Sequence, residues 1–242
     1  SPARKYRNVI QMSQHAPFVD AAVSIDENNY HNTFISYYTY GSFLGLTLDL
    51  SIRNQFPGKS LDDVMRYMWE RFGKTEIPYT IPDIQKAVAS VTGDEKFTME
   101  FFNRYIYDSY APDPRPLLEN MGVTLQLSNP GKLDFADLRL NFINEGAEIR
   151  SNIMENNSLY DAGLNKGDKI VAIDNQIIKN AADYNNAIEK LKIGKTYSIV
   201  FEQNGVMQTS KFTAKEDPAM ATMINGKASG SALKKRQDWL KN

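Results

Sequence analysis

The sequence predicts an α+β protein of several domains, in which a helical bundle precedes a β-rich domain and a short C-terminal helix. Apolar residues recur at helical spacing from residue 36 to about residue 110, and from about residue 123 they alternate as in strands. Between these regions, the segment APDPRP (residues 111–116) carries three prolines, which favour an extended connector. We therefore place the helical domain at 1–116, the β-rich domain at 117–217, and a linker with the final helix at 218–242.

The helical domain is expected to begin with FISYYTYGSFLGLTLDLSIR (residues 34–53), which is apolar almost all round and ends before Pro57 and Gly58. Ser60 then suits an N-cap, and Asp63 completes a capping box. The helix that follows is predicted to place five apolar side chains on one face: Leu61, Val64, Met65, Met68 and Phe72.

Two more helices complete the predicted bundle. IPDIQKAVASVTG (residues 81–93) has Pro82 near its start and Gly93 after its end, the usual asymmetry of a helix. KFTMEFFNRYIYDSY (residues 96–110) is expected to turn four side chains inward: Phe97, Phe101, Tyr105 and Ile106.

The β-rich region shows six short segments of strand character: VTLQL, LRLNFI, AEIRSNI, DKIVAID, YSIVFEQ and MQTSKFTA. One helix at residues 180–192, capped by Asn180, interrupts them and places Tyr184, Ala187, Ile188 and Leu191 on a single face. KEDPAMATMINGKASGS (residues 215–231) is predicted to be a mobile linker. The last helix, SALKKRQDWLK (residues 231–241), needs an apolar surface for Leu233, Trp239 and Leu240, and we expect it to dock on the helical domain.

Composition excludes several functions. Lys plus Arg (28) and Asp plus Glu (29) nearly cancel, so the net charge of −1 offers no field that would attract nucleic acid. Without cysteine, neither a disulfide nor a thiolate zinc site is possible. The sequence also lacks an apolar run of the ~18 residues that a membrane-spanning helix needs.

The most specific motif is NNSLYDAGLNKGDKIVAIDNQII (residues 156–178). Small Ala162 and Gly163 let a short helix pack on a sheet, and Leu164 is expected to plug the core. Asp168 is expected to tie down a loop, and Asp174-Asn175 forms a two-residue turn of the kind that tolerates positive φ. This stretch resembles a PDZ domain, and the resemblance extends over about residues 122–215.

The resemblance implies a peptide-binding groove, because PDZ domains bind extended peptides by adding a strand to an open sheet edge. The groove would lie between residues 138–144 and the capped helix, with Leu138, Arg139, Leu140, Phe142, Tyr184, Ala187 and Ile188 as its peptide-binding residues. The loop FADLRL (residues 135–140) replaces the usual glycine-rich loop that holds a terminal carboxylate, and Asp137 would repel that carboxylate. Arg139 would offset the repulsion only in part, so binding of free C-termini is predicted to be weak or absent. The alternative is that Asp137 is a solvated turn residue and the groove packs against the helical domain.

YYTYG at residues 37–41, SLDDVMRYMWERFG at 60–73 and RQDWLK at 236–241, together with the PDZ-like part, resemble the C-terminal region of the glycyl-aminopeptidase-type zinc metallopeptidases that carry a PDZ domain. That family belongs to the gluzincins, with a thermolysin-like catalytic domain. The resemblance implies that the helical domain is the C-terminal subdomain of a peptidase. It also implies that Tyr38, in a Tyr-x-x-Gly pattern with Gly41, is catalytic and donates a hydrogen bond to the oxyanion of the transition state. Gly41 and Gly45 would let the helix approach a neighbour closely. The alternative is that Tyr37, Tyr38 and Tyr40 are amphipathic residues at the edge of the core.

The sequence lacks the H-E-x-x-H pattern of a gluzincin. Its two histidines, His15 and His31, lie in polar surroundings, and we predict surface or loop roles for them. Asp62, Asp63 and Asp134 are interpreted as caps or solvated turn residues. We therefore predict no cofactor in this chain, and the resemblance assigns zinc to the parent protein.

Two functions remain open from the sequence. The first is a non-catalytic C-terminal portion of a zinc metallo-aminopeptidase-like protein, which would be inactive alone. It would supply one wall of the active-site cleft and a PDZ module that guides peptides or braces the cleft. Its partners would be the upstream catalytic domain of the same protein and a peptide or protein substrate, and the resemblance favours a periplasmic or cell-surface location. The second is a stand-alone helical-plus-PDZ protein that binds peptides or acts as a scaffold without chemistry.

Overall fold

The computed structural model describes residues 2–19, 28–143 and 146–241. Its helices are α1 (Val9–Val19), α2 (Tyr30–Thr33), α3 (Tyr37–Gln55), α4 (Leu61–Met68), α5 (Ile81–Thr92), α6 (Glu95–Phe102), α7 (Arg115–Glu119), α8 (Ser158–Asp161), α9 (Ala181–Ile188) and α10 (Gly230–Leu240). Its strands are β1 (Val123–Leu127), β2 (Leu140–Phe142), β3 (Ala147–Ile149), β4 (Lys169–Ile173), β5 (Gln176–Ile177), β6 (Thr196–Gln203), β7 (Val206–Thr213) and β8 (Met220–Ile224). The predicted α+β class is confirmed.

The chain forms two compact units. Within the described residues, the helical unit comprises 3–19, 34–125 and 222–241, and the β-rich unit comprises 2, 28–33 and 126–221. The limits differ from the predicted domains, since residues 117–125 belong to the helical unit and two further segments are also assigned differently. Residues 28–33 belong to the β-rich unit because the buried Asn32 side chain donates to the Ile153 carbonyl (3.2 Å) and accepts from the Glu155 amide (2.7 Å). Residues 222–241 belong to the helical unit.

The core of the helical unit is built by α3, α4, α5 and α6. Leu48 and Ile52 of α3 are buried with Val64 of α4 and Ala87 and Val88 of α5. The fourth predicted helix turns its apolar residues to this core as expected: Phe101 is buried, and Phe97, Tyr105 and Ile106 pack against it.

Two predicted helix ends, the start of α4 and the end of α5, are confirmed. Ser60 and Asp63 form the capping box of α4, with the Ser60 amide donating to the Asp63 carboxylate at 2.9 Å. Gly93 ends α5 with φ of 70°, which a residue with a side chain rarely adopts. The predicted inward position of Met65 is wrong, since this side chain is 63% exposed. The buried face of α4 is centred on Val64, and Met65 lies about 100° further round the helix.

Four elements were not predicted, and the short helix α2 is one of them. Helix α1 has weak amphipathic character, and its Met12 is buried with Tyr40 and Leu44 of α3. Helix α7 begins inside the proline-rich connector, because Pro116 occupies its first turn, where no amide donor is needed. The predicted mobile linker contains β8, which pairs with β1 in a two-stranded sheet.

The last helix docks on the helical unit as predicted, but through fewer residues. Trp239 of α10 packs against a cluster of Leu50, Leu118 and Met121. Leu233 and Leu240 are exposed, contrary to prediction. One side of α10 is therefore sufficient for docking.

The β-rich unit is built on an antiparallel sheet of strand order β2-β3-β4-β6-β7, and β5 pairs with β4. Leu164 is fully buried in its core, as predicted. The Asp168 carboxylate accepts from the Asn165 amide at 2.7 Å and so fixes the loop before β4. Asp174 and Asn175 have φ of 43° and 68° and form the predicted turn between β4 and β5.

Candidate functional site

The candidate groove begins with β2, which is an edge strand of the sheet. Asn141 lies opposite Glu148 of β3. On either side of this pair, the Arg139 carbonyl accepts a hydrogen bond from the Arg150 amide, and the Ile143 amide donates one to the Gly146 carbonyl. Because backbone groups alternate sides along a strand, those of Leu140 and Phe142 point away from β3. Within the described part of the chain, these two residues present an unpaired edge that can accept another strand.

Helix α9 forms the opposite side of the groove. It begins at the predicted cap, Asn180, whose side chain accepts from the Asp183 amide at 3.0 Å. Tyr184 and Ala187 are buried, and Ile188 packs against the same core. The ring of Phe142 on β2 meets the ring of Tyr184 edge-on, with centroids 6.4 Å apart.

The other predicted groove residues differ in their burial. Leu138 and Leu140 are partly buried against the same core as Tyr184 and Ala187. Arg139 is exposed, and its amide donates to the Ser151 hydroxyl at 3.3 Å. The last predicted groove residue, at position 144, lies outside the described residues.

The loop before β2 is held by a contact that the sequence did not reveal. The Tyr184 hydroxyl donates to the Phe135 carbonyl at 3.1 Å and so connects α9 to this loop. Burial raises the pKa of Tyr184, and the nearby Asp134 carboxylate raises it further, so the hydroxyl keeps its proton. A tyrosine on the inner face of a predicted helix was the available signal, because a buried phenol needs a partner.

Asp134 is not a solvated turn residue, and it contacts the first turn of α8 from a distant part of the sequence. Its carboxylate is half buried and accepts from the Ser158 amide (2.8 Å) and hydroxyl (2.7 Å) at the start of α8. Burial raises its pKa, while the two hydrogen bonds from Ser158 act in the opposite direction. The Ser158 hydroxyl in turn accepts from the Lys215 amide at 2.9 Å. Asp134 thus joins three segments of the β-rich unit.

Exposure separates the three tyrosines at the head of α3. Tyr40 is 5% exposed, and burial raises its pKa, whereas Tyr38 is 70% exposed. The rings of Tyr37 and Tyr38 are 4.3 Å apart between centroids. Among the described residues, the Tyr38 hydroxyl has no hydrogen-bond partner, so it is available to a ligand.

Among the described residues, nothing approaches the glycines of α3 closely. A Cβ atom built at Gly41 would meet no atom within 4 Å, and one at Gly45 would only make an ordinary contact with Leu61 at 3.9 Å. Neither glycine is required by a neighbour among the described residues.

The two histidines lie in different settings and belong to no metal-binding cluster of the described residues. His15 lies in α1 rather than in a loop, and its ring is 6.3 Å from that of Phe34. Burial and, secondarily, Arg7 lower its pKa. His31 is exposed in α2. In the parts of the chain that the structure describes, no group of three or more His, Asp or Glu residues is placed to hold a metal ion.

Comparison with known proteins identifies the β-rich unit. Residues 120–213 match the family model described as PDZ domain. This part of the chain is a PDZ domain. The predicted order of a helical region, a PDZ domain and a C-terminal helix is thereby confirmed. The PDZ family implies a peptide as partner.

One solved structure is similar along most of the chain. It is an aminopeptidase N family protein from Idiomarina loihiensis, 25% identical, with a TM-score of 0.68 over 88% of this chain. The alignment covers 37% of the length of that protein. The HtrA-type protease AlgW with a tripeptide matches 40% of this chain and 31% of its own, with 23% identity and a TM-score of 0.28. The search of curated proteins gave no match.

Across the described residues, no helix combines the length and the apolar character that a crossing of the bilayer requires.

Proposed function

We propose that this chain is the non-catalytic C-terminal portion of a zinc metallo-aminopeptidase-like protein. Its helical unit forms one wall of the active-site cleft, and its PDZ domain binds an extended segment of a peptide or protein. The observation that carries this proposal is the similarity to an aminopeptidase N family protein, because it extends over 88% of the chain and so includes both the helical unit and the PDZ domain.

Tyr38 is the residue of the helical unit that we assign to the chemistry. Its hydroxyl is exposed at the first turn of α3 and can donate one hydrogen bond to an oxygen that gains negative charge during peptide hydrolysis. Tyr40 cannot take this role because it is buried against Met12 and Leu44. Tyr37 contacts the Tyr38 ring and limits its movement.

Zinc does not fit the described residues of this chain, since they contain no cluster of metal-binding side chains. In this proposal, the zinc ligands and the general base belong to the upstream catalytic domain of the parent protein. The contribution of this chain is confined to the Tyr38 hydroxyl and the peptide-binding surface.

A second candidate is a stand-alone helical-plus-PDZ protein that binds peptides without catalysis. The open edge of β2 and the apolar side chains of α9 favour it, because they form a groove from residues of the PDZ domain alone. The coding sequence upstream of Ser1 distinguishes the two candidates: H-E-x-x-H with a further Glu supports the peptidase, and a start codon adjacent to Ser1 supports the scaffold.

The kinetic test is Tyr38→Phe in the full-length parent protein. We expect kcat to fall by the equivalent of about 2–3 kcal/mol, as for loss of an oxyanion donor, with unchanged zinc content. Tyr37→Phe is the matched control, because it removes a neighbouring hydroxyl and keeps the ring; its kcat should stay near wild type. Unchanged turnover in Tyr38→Phe would contradict the assigned role.

A further inference from the structure

We infer that the PDZ groove takes an internal, extended segment of a protein chain and excludes a free C-terminal carboxylate. This inference rests on the proposed peptide binding and specifies its ligand. The loop at residues 133–139 precedes β2. Its hydrogen-bonded amides, its charge and its rigidity all oppose the binding of a terminal carboxylate.

Several amides of this loop are already engaged. Ala136 donates to the Leu133 carbonyl (3.1 Å), Leu138 donates to the Phe135 carbonyl (3.3 Å), and Arg139 donates to the Ser151 hydroxyl (3.3 Å). A terminal carboxylate needs several backbone donors that converge on its two oxygens. These three amides would have to give up their present partners before they could bind a carboxylate.

The Tyr184 hydroxyl closes the same end of the groove. It donates to the Phe135 carbonyl, so α9 is tied to the loop where a chain end would have to enter. Because the hydroxyl and its acceptor are both buried, breaking this bond without replacement leaves a buried carbonyl without a donor, which is unfavourable. A carboxylate cannot replace it, since the Phe135 carbonyl requires a donor.

The charge of the loop also opposes a carboxylate. The Asp137 side chain is 75% exposed and pairs with Lys132. Arg139 is exposed on the same segment, so residues 133–139 carry two acidic groups, Asp134 and Asp137, and one basic group, and Lys132 directly precedes them. Lys132 is occupied by Asp137, which leaves Arg139 as the single cation for a ligand, at the position where β2 begins.

The loop cannot rearrange freely to release its donors. Asp134 accepts two hydrogen bonds from Ser158, and Leu133 forms an isolated bridge with Glu216. The Phe135 side chain is fully buried in the core of the PDZ domain. These contacts fix the loop at its start, so the engaged amides persist when a ligand arrives.

An internal segment avoids all three obstacles. Its backbone can pair with the N–H and C=O groups of Leu140 and Phe142 that point away from β3. The ligand chain continues beyond the groove in both directions, so no terminal carboxylate has to be placed at the loop. Side chains at alternate positions of the added strand would then point toward α9, where Ala187 and Ile188 offer apolar contacts. The ligand class is therefore an extended segment with apolar residues at alternate positions.

The test uses the full chain and a synthetic array of roughly 12-residue peptides of alternating apolar and polar sequence, long enough to span a strand of ~5–6 residues. Each peptide is made with a free C-terminal carboxylate, as the C-terminal amide, and with a polar extension at both ends. Binding of each form is measured by fluorescence anisotropy. Asp137→Asn is compared with Asp174→Asn, which removes an exposed acid from the turn between β4 and β5.

We expect the extended and amidated forms to bind about tenfold more tightly than the free acids. Asp137→Asn should reduce this difference by roughly threefold, and Asp174→Asn should leave it unchanged. Tighter binding of the free acids would overturn the inference and leave the proposed peptide binding intact. If no form binds, both the inference and the peptide-binding part of the proposed function fail.

Discussion

The structure of the PDZ domain is determined mainly by residues that are close together in the sequence, whereas the structure of the helical unit depends on residues that are far apart. In the PDZ domain, the turn residues stand next to the buried residue that they position: Gly163 precedes Leu164, and Asp168 follows four residues later. In the helical unit, α4, α5 and α6 have their own N-terminal caps, but the buried face of each is determined by helices that are distant in the sequence. Local signals therefore predict the PDZ core well and the helical core less well.

The largest expected effect concerns the PDZ core. Leu164→Ala should lower the free energy of unfolding of the PDZ domain by about 2–5 kcal/mol, because the side chain is fully buried in a core that is fixed by adjacent turns. Hydrogen exchange of PDZ amides measures this, since both tryptophans, Trp69 and Trp239, belong to the helical unit.

Ile177→Ala is the matched control for that variant, because Ile177 is exposed on β5. Its effect should stay within about 0.5 kcal/mol. A loss of unfolding free energy as small as this in Leu164→Ala would contradict the claim that the adjacent turns fix Leu164 in the core.

A smaller effect is expected in the helical unit. Ser60→Ala removes the side-chain acceptor of the α4 cap and should lower the free energy of unfolding of this unit by about 1 kcal/mol. Tryptophan fluorescence during urea denaturation reports it. Met65→Ala is the control, because this residue is exposed, and it should have almost no effect. Equal losses in both variants would show that the face of α4 is more deeply buried than the structure indicates.

The same contrast explains what the sequence could predict of the fold. The capping box at Ser60 and Asp63, the end of α5 at Gly93 and the turn at Asp174 depend on residues within a few positions, and all three are confirmed. The exposure of Met65 and Leu233 depends on which neighbours pack beside them. Strand β8 depends on pairing with β1, about a hundred residues earlier, so its own sequence resembled a linker.

The candidate site shows a similar division. The groove residues on β2 and α9 followed from the motif around Leu164, because the order of elements in the resembling family places them. The hydrogen bond from Tyr184 to Phe135 and the burial of Asp134 did not follow, since each joins segments that are far apart in the chain. The exposure of Tyr38 likewise required the packing of α1 against α3, which covers Tyr40 and leaves Tyr38 open.

The central claim is that the PDZ domain accepts a ligand strand along the free edge of β2. Hydrogen exchange followed by nuclear magnetic resonance tests it most directly, with and without an amidated peptide that binds. We predict that binding protects the amides of Leu140 and Phe142, which point away from β3, while the amide of Asn141, already paired with β3, changes little. Binding that leaves the exchange of Leu140 and Phe142 unchanged would contradict the account.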